Sequence, residues 1–419
     1  MQNTGNEKKS KKSNLSLAIF VIAVVIISIN LVSLFFPSLI IILSSGSEIQ
    51  DDPFEQGPWI TPFLVANVPL LVFGILYYKK KLPQFILNSI KFIRNFEISP
   101  NVTAIVFAAI IFSYIGLTMT EVLLKEEKVF GDFDRVKKTI EKWPFNQTKA
   151  EALFHRHVGS LFLKISQEVF DNFKVTPFLG SIALLALTYF FTVKITKKRF
   201  AGIVAMVFLF QSFTFYSFDT IASYPNFWGL FYLLSLYLLY FRWPLSPISY
   251  VASLLSKPLT APYLPLLMFF TYRANISRKR KINFTITWVA IVGVAVAVLL
   301  ISGIDVGGGI TTGKLGFDWD EFWFGFTAWN SQLRFDTIFL LFVLPLAVVL
   351  YITARNGITI ADAILVQITG IIFVMPLLAS LTTFDLHPYR YVPLMNFFAI
   401  GVATLLAKKS SNGGEDIEN

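Results

Sequence analysis

Apolar runs of about twenty residues recur along almost the whole chain and alternate with short charged segments. One such run can be a buried core helix, but a repeated series is typical of a polytopic membrane protein. Membrane β-barrels show short alternating segments instead, and the sequence has none. The pattern therefore predicts an all-α, polytopic transmembrane helical bundle of about twelve spans. The predicted spans are 15–44, 59–78, 101–121, 176–193, 200–217, 225–241, 246–256, 259–272, 283–302, 336–354, 358–381 and 390–407.

Lysine and arginine fall in alternate connections between these spans, and the strongest clusters are Lys79–Lys81, Lys194–Arg199 and Arg278–Lys281. Loops rich in Lys and Arg stay on the cytoplasmic side of a membrane. The twelve-span topology places every cluster inside, so it predicts a multi-pass protein of the cell membrane with both termini in the cytoplasm. The segment 82–96 has one apolar and one basic face, which predicts a helix lying along the inner membrane surface.

Composition agrees with this class. Charged residues are 15% of the chain, against roughly 25% in soluble domains, and mean hydropathy is +0.63. The net charge of +10 is scattered over many short loops, so topology and attraction to lipid headgroups explain it better than nucleic-acid binding does. Because the chain has no cysteine, disulfides and thiolate metal sites are excluded.

The longest polar segment between predicted spans, 122–175, contains Asp132 and Asp134 near its start. Two carboxylates at a membrane surface can hold a divalent cation such as Mg²⁺ or Mn²⁺, or one of them can act as a general base. Neither role is needed to fold a membrane bundle. The structural alternative is that these aspartates cap a helix over 135–142.

The three histidines, His155, His157 and His387, all fall in predicted outer loops, so they could meet in space. A structural zinc site, a polar role facing a headgroup or substrate, and plain loop histidines all remain open. A His pair two residues apart suits a strand, whereas on a helix the two rings diverge. The zinc interpretation is therefore the weakest of the three.

Other polar residues lie at predicted outer positions, namely Asp219, Lys257, Arg390 and Tyr391. Lys257 separates two apolar segments that are each shorter than the roughly seventeen residues needed to cross a bilayer upright, which predicts broken or tilted helices lining a cavity. A lysine there needs an anion or must extend to the interface. Arg390 can bind a phosphate through two parallel hydrogen bonds, or it can anchor the helix end at the interface.

The order of these features resembles the GT-C superfamily of polytopic glycosyltransferases, which includes protein O-mannosyltransferases and lipid-linked-sugar mannosyltransferases. The resemblance covers about 101–407. Two features depart from the family pattern: the first two spans look like an addition, and paired prolines do not follow the loop histidines. The motifs that carry the resemblance are Gly131-Asp132-Phe133-Asp134, His155 to Leu163, Lys194 to Gly202, Ser256-Lys257-Pro258, and His387 with Arg390 and Tyr391.

This resemblance implies three parts: an N-terminal part (1–100) with two additional spans and the inner interfacial helix, a catalytic membrane domain (101–407), and a disordered cytoplasmic tail (408–419). It implies a sugar donor carried on a polyprenyl phosphate or diphosphate and a lipid, glycan or protein acceptor. Asp132 and Asp134 are the expected catalytic residues, as a base or as ligands of a cation, although no cofactor is obligatory. The other residues implied in the site are Lys257, Arg390 and Tyr391 for the donor phosphate, and His155, His157, Asp219 and His387 for substrate binding.

Two other functions compete with this one. A flippase or transporter of lipid-linked saccharides favours internal repeats and polar groups near the bilayer midplane. The sequence shows no such repeat, and Asp362 is the main candidate for a polar group inside a span. A ligase or polymerase of saccharides would have its key arginines and histidine in a large late loop, whereas the longest polar segment here comes early. The pattern favours the glycosyltransferase.

Overall fold

The computed structural model describes residues 3–45, 52–124, 127, 130–141, 157–302, 317–327, 329, 332–381 and 388–408. All regular secondary structure in these residues is helical, which confirms the predicted all-α class. The helices of the N-terminal half are α1 (Asn3–Phe35), α2 (Pro37–Ser45), α3 (Ile60–Tyr78), α4 (Gln84–Asn95), α5 (Pro100–Leu123), α6 (Phe130–Glu141), α7 (His157–Phe170), α8 (Val175–Thr196), α9 (Arg199–Phe210) and α10 (Phe213–Ser217).

In the C-terminal half, the described residues form eight more α-helices and three 3₁₀ turns, Pro258–Tyr263, Gly325–Thr327 and Pro388–Tyr391. Its α-helices are α11 (Phe227–Phe241), α12 (Leu245–Ser256), α13 (Leu264–Arg273), α14 (Arg278–Ser302), α15 (Trp319–Phe324), α16 (Thr337–Arg355), α17 (Ile360–Leu381) and α18 (Val392–Thr404).

Within the described residues, six helices are long and apolar enough to cross a membrane. This confirms that the chain is an integral membrane protein. The count of twelve stays a prediction, because several predicted spans form helices that are shorter than a bilayer crossing requires. The six are Asn14–Phe35, Ile60–Tyr78, Pro100–Leu123, Val175–Thr196, Thr337–Arg355 and Ile360–Leu381.

Some predicted spans are broken by identifiable residues. The span 15–44 ends its first helix at Phe35 and restarts at Pro37, because proline has no N–H for a helical hydrogen bond. The span 200–217 breaks at Ser212, whose hydroxyl caps the short helix α10 by accepting from the backbone N–H of Phe215. Apolar length alone does not show such breaks.

The hydrophobic core contains α8, α11, α17 and α18, and hydrogen bonds between polar side chains connect some of its helices. Tyr232 on α11 donates to the side-chain oxygen of Gln367 on α17 at 2.7 Å. Gln367 in turn donates to the backbone oxygen of Leu266 on α13 at 2.9 Å. Such a fully satisfied network fixes how three helices meet, because leaving any one of these groups unpaired in the core is unfavourable.

The first helix packs into this bundle rather than standing apart from it. Phe20 stacks on Tyr351 of α16, with ring centroids 4.4 Å apart. Helix α3 is more exposed than α1, since Phe63 is its one buried residue. It still contacts the bundle, because the Asn67 side chain donates to the backbone oxygen of Leu341 on α16. The proposed division of the chain at residue 100 stays a prediction.

The predicted basic connections meet at one end of the bundle. Buried Lys198, after α8, donates to the backbone oxygen of Arg94, and the backbone N–H of Lys408 donates to Thr196 at 3.1 Å. Arg280 donates to Tyr240 at 3.4 Å. We call this region, with Arg94–Glu97, Lys194–Arg199, Arg273–Lys281 and Lys408, the basic end. The assignment of this end to the cytoplasm stays a prediction.

The opposite end of the bundle is reached along α5, whose 24 residues span about 36 Å from Pro100 to Leu123. We call it the site end, because it carries Asp132, Asp219, Lys257 and Arg390. Of the predicted tail, only Lys408 lies within the described residues. Its ammonium group is 3.8 Å from Glu97, so the tail begins with an ordered contact.

The aspartates near the start of segment 122–175 lie inside a helix rather than before one. Helix α6 begins at Phe130, earlier than the expected start at 135, and Asp132 is in its first turn. The structural alternative, in which these aspartates cap a helix over 135–142, is therefore wrong. A carboxylate in the first turn is still favoured there, because the helix dipole is positive at the N-terminus.

Candidate functional site

Two stacked tyrosines form the centre of the site end. The rings of Tyr224 and Tyr389 are nearly parallel, with centroids 4.0 Å apart and an interplanar angle of 11°. Tyr224 lies between α10 and α11, and Tyr389 lies in the 3₁₀ turn before α18. Both side chains are buried and pack with Ile221 and Phe218 as a small cluster separate from the main core.

Asp132 reaches this stack from α6. The Tyr224 hydroxyl donates to Asp132 Oδ2, which joins two segments 92 residues apart. The helix is oriented by its apolar face, where Phe133 packs edge-to-face on Phe173 and Ile140 packs with Leu163. Packing of one helix face thus decides that the half-buried Asp132 carboxylate lies beside Tyr224.

Asp134 does not join Asp132. Successive residues of an α-helix are about 100° apart, so two residues separate these side chains by about 200° around the axis. Asp132 accordingly contacts Tyr224, whereas Asp134 is exposed. The described residues contain no group of three or more His, Asp or Glu side chains that could hold a metal ion. The expected cation site built on this aspartate pair is therefore not supported by the geometry of α6.

Lys257 lies against the same tyrosine stack. Its ammonium nitrogen is 3.5 Å from the ring centroid of Tyr389 and 5.4 Å from that of Trp228. Because Tyr224 covers one face of the Tyr389 ring, the ammonium group occupies the other. Lys257 is 4% exposed, and desolvated cation–π contacts of this kind are the stronger ones.

The local sequence explains how Lys257 is presented. Pro258 disfavours helical backbone at the preceding residue, and Lys257 is extended with φ −158° and ψ 112°. Its backbone N–H still bonds to Ser253 at 2.9 Å, so the lysine follows directly after α12. The chain then enters a 3₁₀ turn instead of a new α-helix. The predicted break at this lysine is observed, and the predicted cavity beside it stays a prediction.

Arg390 follows Tyr389 and is also buried. Its guanidinium carbon is 5.9 Å from the Tyr389 ring centroid, so Lys257 and Arg390 approach one aromatic ring. Tyr391, the last residue of the same 3₁₀ turn, is buried in the main core. That position favours a packing role for Tyr391 over direct contact with a donor phosphate.

Asp219 is buried and held by protein groups. Its Oδ2 accepts from the Tyr114 hydroxyl at 2.9 Å and from Thr118 at 3.3 Å, and its backbone oxygen accepts from Ser181 at 2.7 Å. These bonds connect α5, α8 and the segment before α11. They favour a structural role for Asp219 over the predicted contact with substrate.

The histidines give less information. His157 is the first residue of α7 and is half-buried. His155 and His387 lie outside the described residues, so their predicted meeting with His157 stays a prediction.

Sequence reasoning did not single out the aromatic rings, or Glu127. The Glu127 carboxylate is buried and accepts from the backbone N–H of Ala222 at 2.8 Å, which positions the segment that carries Tyr224. The available signal was that Tyr224 and Tyr389 each follow a polar motif closely in sequence. Tyrosines near a membrane interface are common for other reasons, so this signal is weak by itself.

In this arrangement the Asp132 carboxylate contacts Tyr224, and the cations Lys257 and Arg390 lie near the ring of Tyr389, which is stacked on Tyr224. A carboxylate can accept a proton, and buried cations can stabilise an anion that forms between them. No protein-family model, curated protein or solved structure matches the chain.

Proposed function

We propose that the protein is a membrane glycosyltransferase of the GT-C type, which transfers a sugar from a polyprenyl-phosphate or polyprenyl-diphosphate donor to an acceptor hydroxyl at the outer membrane face. The observation that carries the proposal is the convergence of Asp132, Lys257 and Arg390 on the Tyr224–Tyr389 stack. Three chain segments that are distant in sequence supply these groups. They have the chemistry that this reaction needs, and they lie at the end opposite the basic loops.

Asp132 is the general base. The acceptor hydroxyl displaces the Tyr224 hydroxyl as the hydrogen-bond donor to Asp132. The carboxylate then takes the proton of the acceptor hydroxyl while the acceptor oxygen bonds to the anomeric carbon of the sugar. The bond from that carbon to the lipid phosphate oxygen breaks, and the electron pair leaves with the phosphate. The proton is thus on Asp132 and the new negative charge is on the departing lipid phosphate.

Lys257 and Arg390 stabilise that phosphate. Hydrogen bonds from charged donors are shorter and stronger than neutral ones, and they gain strength where water is excluded. Both side chains are buried next to the Tyr389 ring, so little reorganisation is needed as charge develops. The leaving group departs as a stable phosphate anion, which makes two fixed cations a sufficient source of stabilisation in this proposal.

The position of Asp362 favours an enzyme over a transporter. This carboxylate was the main candidate for a polar group used in transport across the bilayer. It is buried at the basic end, where it forms an ion pair with Arg273 and accepts from the Ser16 hydroxyl at 2.6 Å. These contacts connect α1, α13 and α17, so the buried Asp362 carboxylate has a structural role.

The test is a transfer assay with purified full-length protein in liposomes. A radiolabelled sugar on polyprenyl phosphate is the donor, and a membrane extract supplies acceptors. Label should move from the lipid donor to a new product, and the Asp132→Asn variant should lose this transfer. Movement of intact labelled donor across the bilayer without any transfer would instead support a flippase and overturn the proposal.

A further inference from the structure

A pocket of about 350 Å³ opens at the basic end, far from the tyrosine stack. Three chain segments build it: the connection between α4 and α5, the end of α8 with the turn into α9, and Lys408 after α18. Its lining carries four cationic side chains and one carboxylate. The lining residues are Glu97, Val193, Lys194, Lys197, Arg199 and Lys408.

The carboxylate in this pocket already has protein partners. Glu97 Oε1 accepts from the backbone N–H groups of Arg199 at 2.9 Å and Phe200 at 3.4 Å, so it caps the N-terminus of α9. Glu97 Oε2 is 3.8 Å from the Lys408 ammonium group. Glu97 therefore offsets the helix dipole and part of one lysine charge, and the remaining cations are in excess.

No other acidic group balances the charge near the pocket among the described contacts. Arg280 adds to the positive potential at Lys194, and Arg94 adds to it at Lys198. Lys198 itself is buried and donates to the backbone oxygens of Arg94 and Phe96, which holds the α4–α5 connection against the α8–α9 turn. The cations thus surround a fixed pocket rather than a loose surface loop.

The pocket lies at the ends of two candidate membrane-spanning helices, where lipid headgroups are expected. These helices are α5 and α8, two of the six that are long and apolar enough to cross a membrane. Beside it runs α4, an amphipathic helix whose Phe85 and Phe92 are exposed, as in helices that lie in the membrane interface. Apolar surface adjoins the cations: Val193 lines the pocket, and the Lys194 ammonium group is 4.3 Å from the centroid of the exposed Phe241 ring, which lies next to the pocket.

We propose that this pocket binds the phosphate headgroup of an anionic membrane lipid, whose acyl chains run past Val193 and Phe241 along the outside of α8. The cations supply the attraction for the phosphate, and the adjoining apolar surface distinguishes a lipid from a free phosphate ion. The site is opposite the tyrosine stack and does not depend on the proposed glycosyl transfer.

The experiment measures the thermal-unfolding midpoint of the purified full-length protein in a neutral detergent. The probes are dihexanoyl phosphatidic acid, dihexanoyl phosphatidylcholine and inorganic phosphate, each added over a range of concentrations. The variant is Lys197→Gln with Arg199→Gln, because both side chains are exposed and their loss leaves the core intact. The matched control is Lys79→Gln with Lys80→Gln, which removes the same charge from another exposed turn. Lys80 and Lys197 both have left-handed backbone, with φ 54° and φ 59°.

Phosphatidic acid should raise the midpoint of the wild type more than either other probe does. Half-saturation should need about tenfold more phosphatidic acid in the Lys197/Arg199 variant and be unchanged in the Lys79/Lys80 variant. The single variant Lys408→Gln should shift half-saturation in the same direction, which keeps the test valid if the double variant is unstable. Equal weakening in both double variants would show general attraction to a basic surface. If inorganic phosphate raised the midpoint as much as phosphatidic acid, the pocket would bind phosphate without selecting a lipid. Either result overturns the proposal.

Discussion

The two ends of the bundle use buried charge differently. At the basic end, Asp362 and Arg273 are paired with each other, and Ser16 completes the group. At the site end, Asp132 bonds to a neutral tyrosine, while Lys257 and Arg390 lie against an aromatic ring. An ion pair between protein groups connects helices and leaves little capacity for a ligand. Charges from three separate segments that border one aromatic stack can also contact a substrate that binds there.

The largest expected difference between the two ends is in how accessible an introduced cysteine is from outside the cell. The chain has no cysteine, so single cysteines report cleanly. With intact cells, a membrane-impermeant maleimide should label Asp134→Cys at the site end and leave Lys79→Cys unlabelled until the membrane is opened. Both positions are exposed, so burial does not explain a difference. Labelling of both from outside would contradict the opposite placement of the two ends.

The next largest effect is on turnover at the site end. Asp132→Asn keeps the size of the side chain but removes the base, so transfer should fall roughly 10²–10⁴-fold. Asp134→Asn on the same helix is the matched control and should keep near wild-type turnover, because Asp134 is exposed and points away. The measurement is initial transfer rate at saturating donor. An equal loss in both variants would favour the original prediction that the two aspartates act together.

At the basic end the same kind of change should affect stability instead. Asp362→Ala leaves Arg273 as an uncompensated buried charge, so the free energy of unfolding should fall by about 3–5 kcal/mol. Replacing both partners, with Arg273→Met and Asp362→Leu, should restore most of it. Thermal and denaturant unfolding in detergent measure this change. A double variant that folds well but has lost all transfer activity would show that the pair serves function, and it would break the contrast between the ends.

A smaller effect is expected for Arg390→Lys, which keeps the charge but loses the planar two-point hydrogen bonding of the guanidinium group. The KM for the lipid donor should rise roughly tenfold, because about one charge-assisted hydrogen bond is lost. The KM for the acceptor should stay the same. Arg334→Lys, at an exposed position of the same end, is the control. A simple interface anchor predicts no change in either constant.

The smallest effect concerns the hydroxyl that contacts Asp132. Tyr224→Phe keeps the ring stacked on Tyr389 and removes one hydrogen bond, so unfolding should become easier by about 1 kcal/mol. Transfer should change less than in Asp132→Asn, because the carboxylate remains. Tyr216→Phe, which alters a long 3.5 Å contact at the surface, is the control for stability. A loss as large as that of Asp132→Asn would mean that the Tyr224 hydroxyl itself takes part in the chemistry.

The sequence by itself determined the helical class, the membrane location and the grouping of the basic loops, because hydropathy and charge act over short stretches of chain. It also determined the break at Lys257, since Pro258 restricts the preceding residue directly. The helix over α6 was predicted as well, but its start was not, and that start decides that Asp132 and Asp134 diverge.

Only the tertiary structure decided which polar groups meet. The Tyr224–Asp132 bond joins segments 92 residues apart, and the Arg273–Asp362 pair joins segments 89 residues apart. Nothing within a short window of sequence distinguishes Asp219, which is buried and bonded to α5, from Asp134, which is exposed. The difference comes from how helix faces pack, and packing depends on side chains from many helices at once.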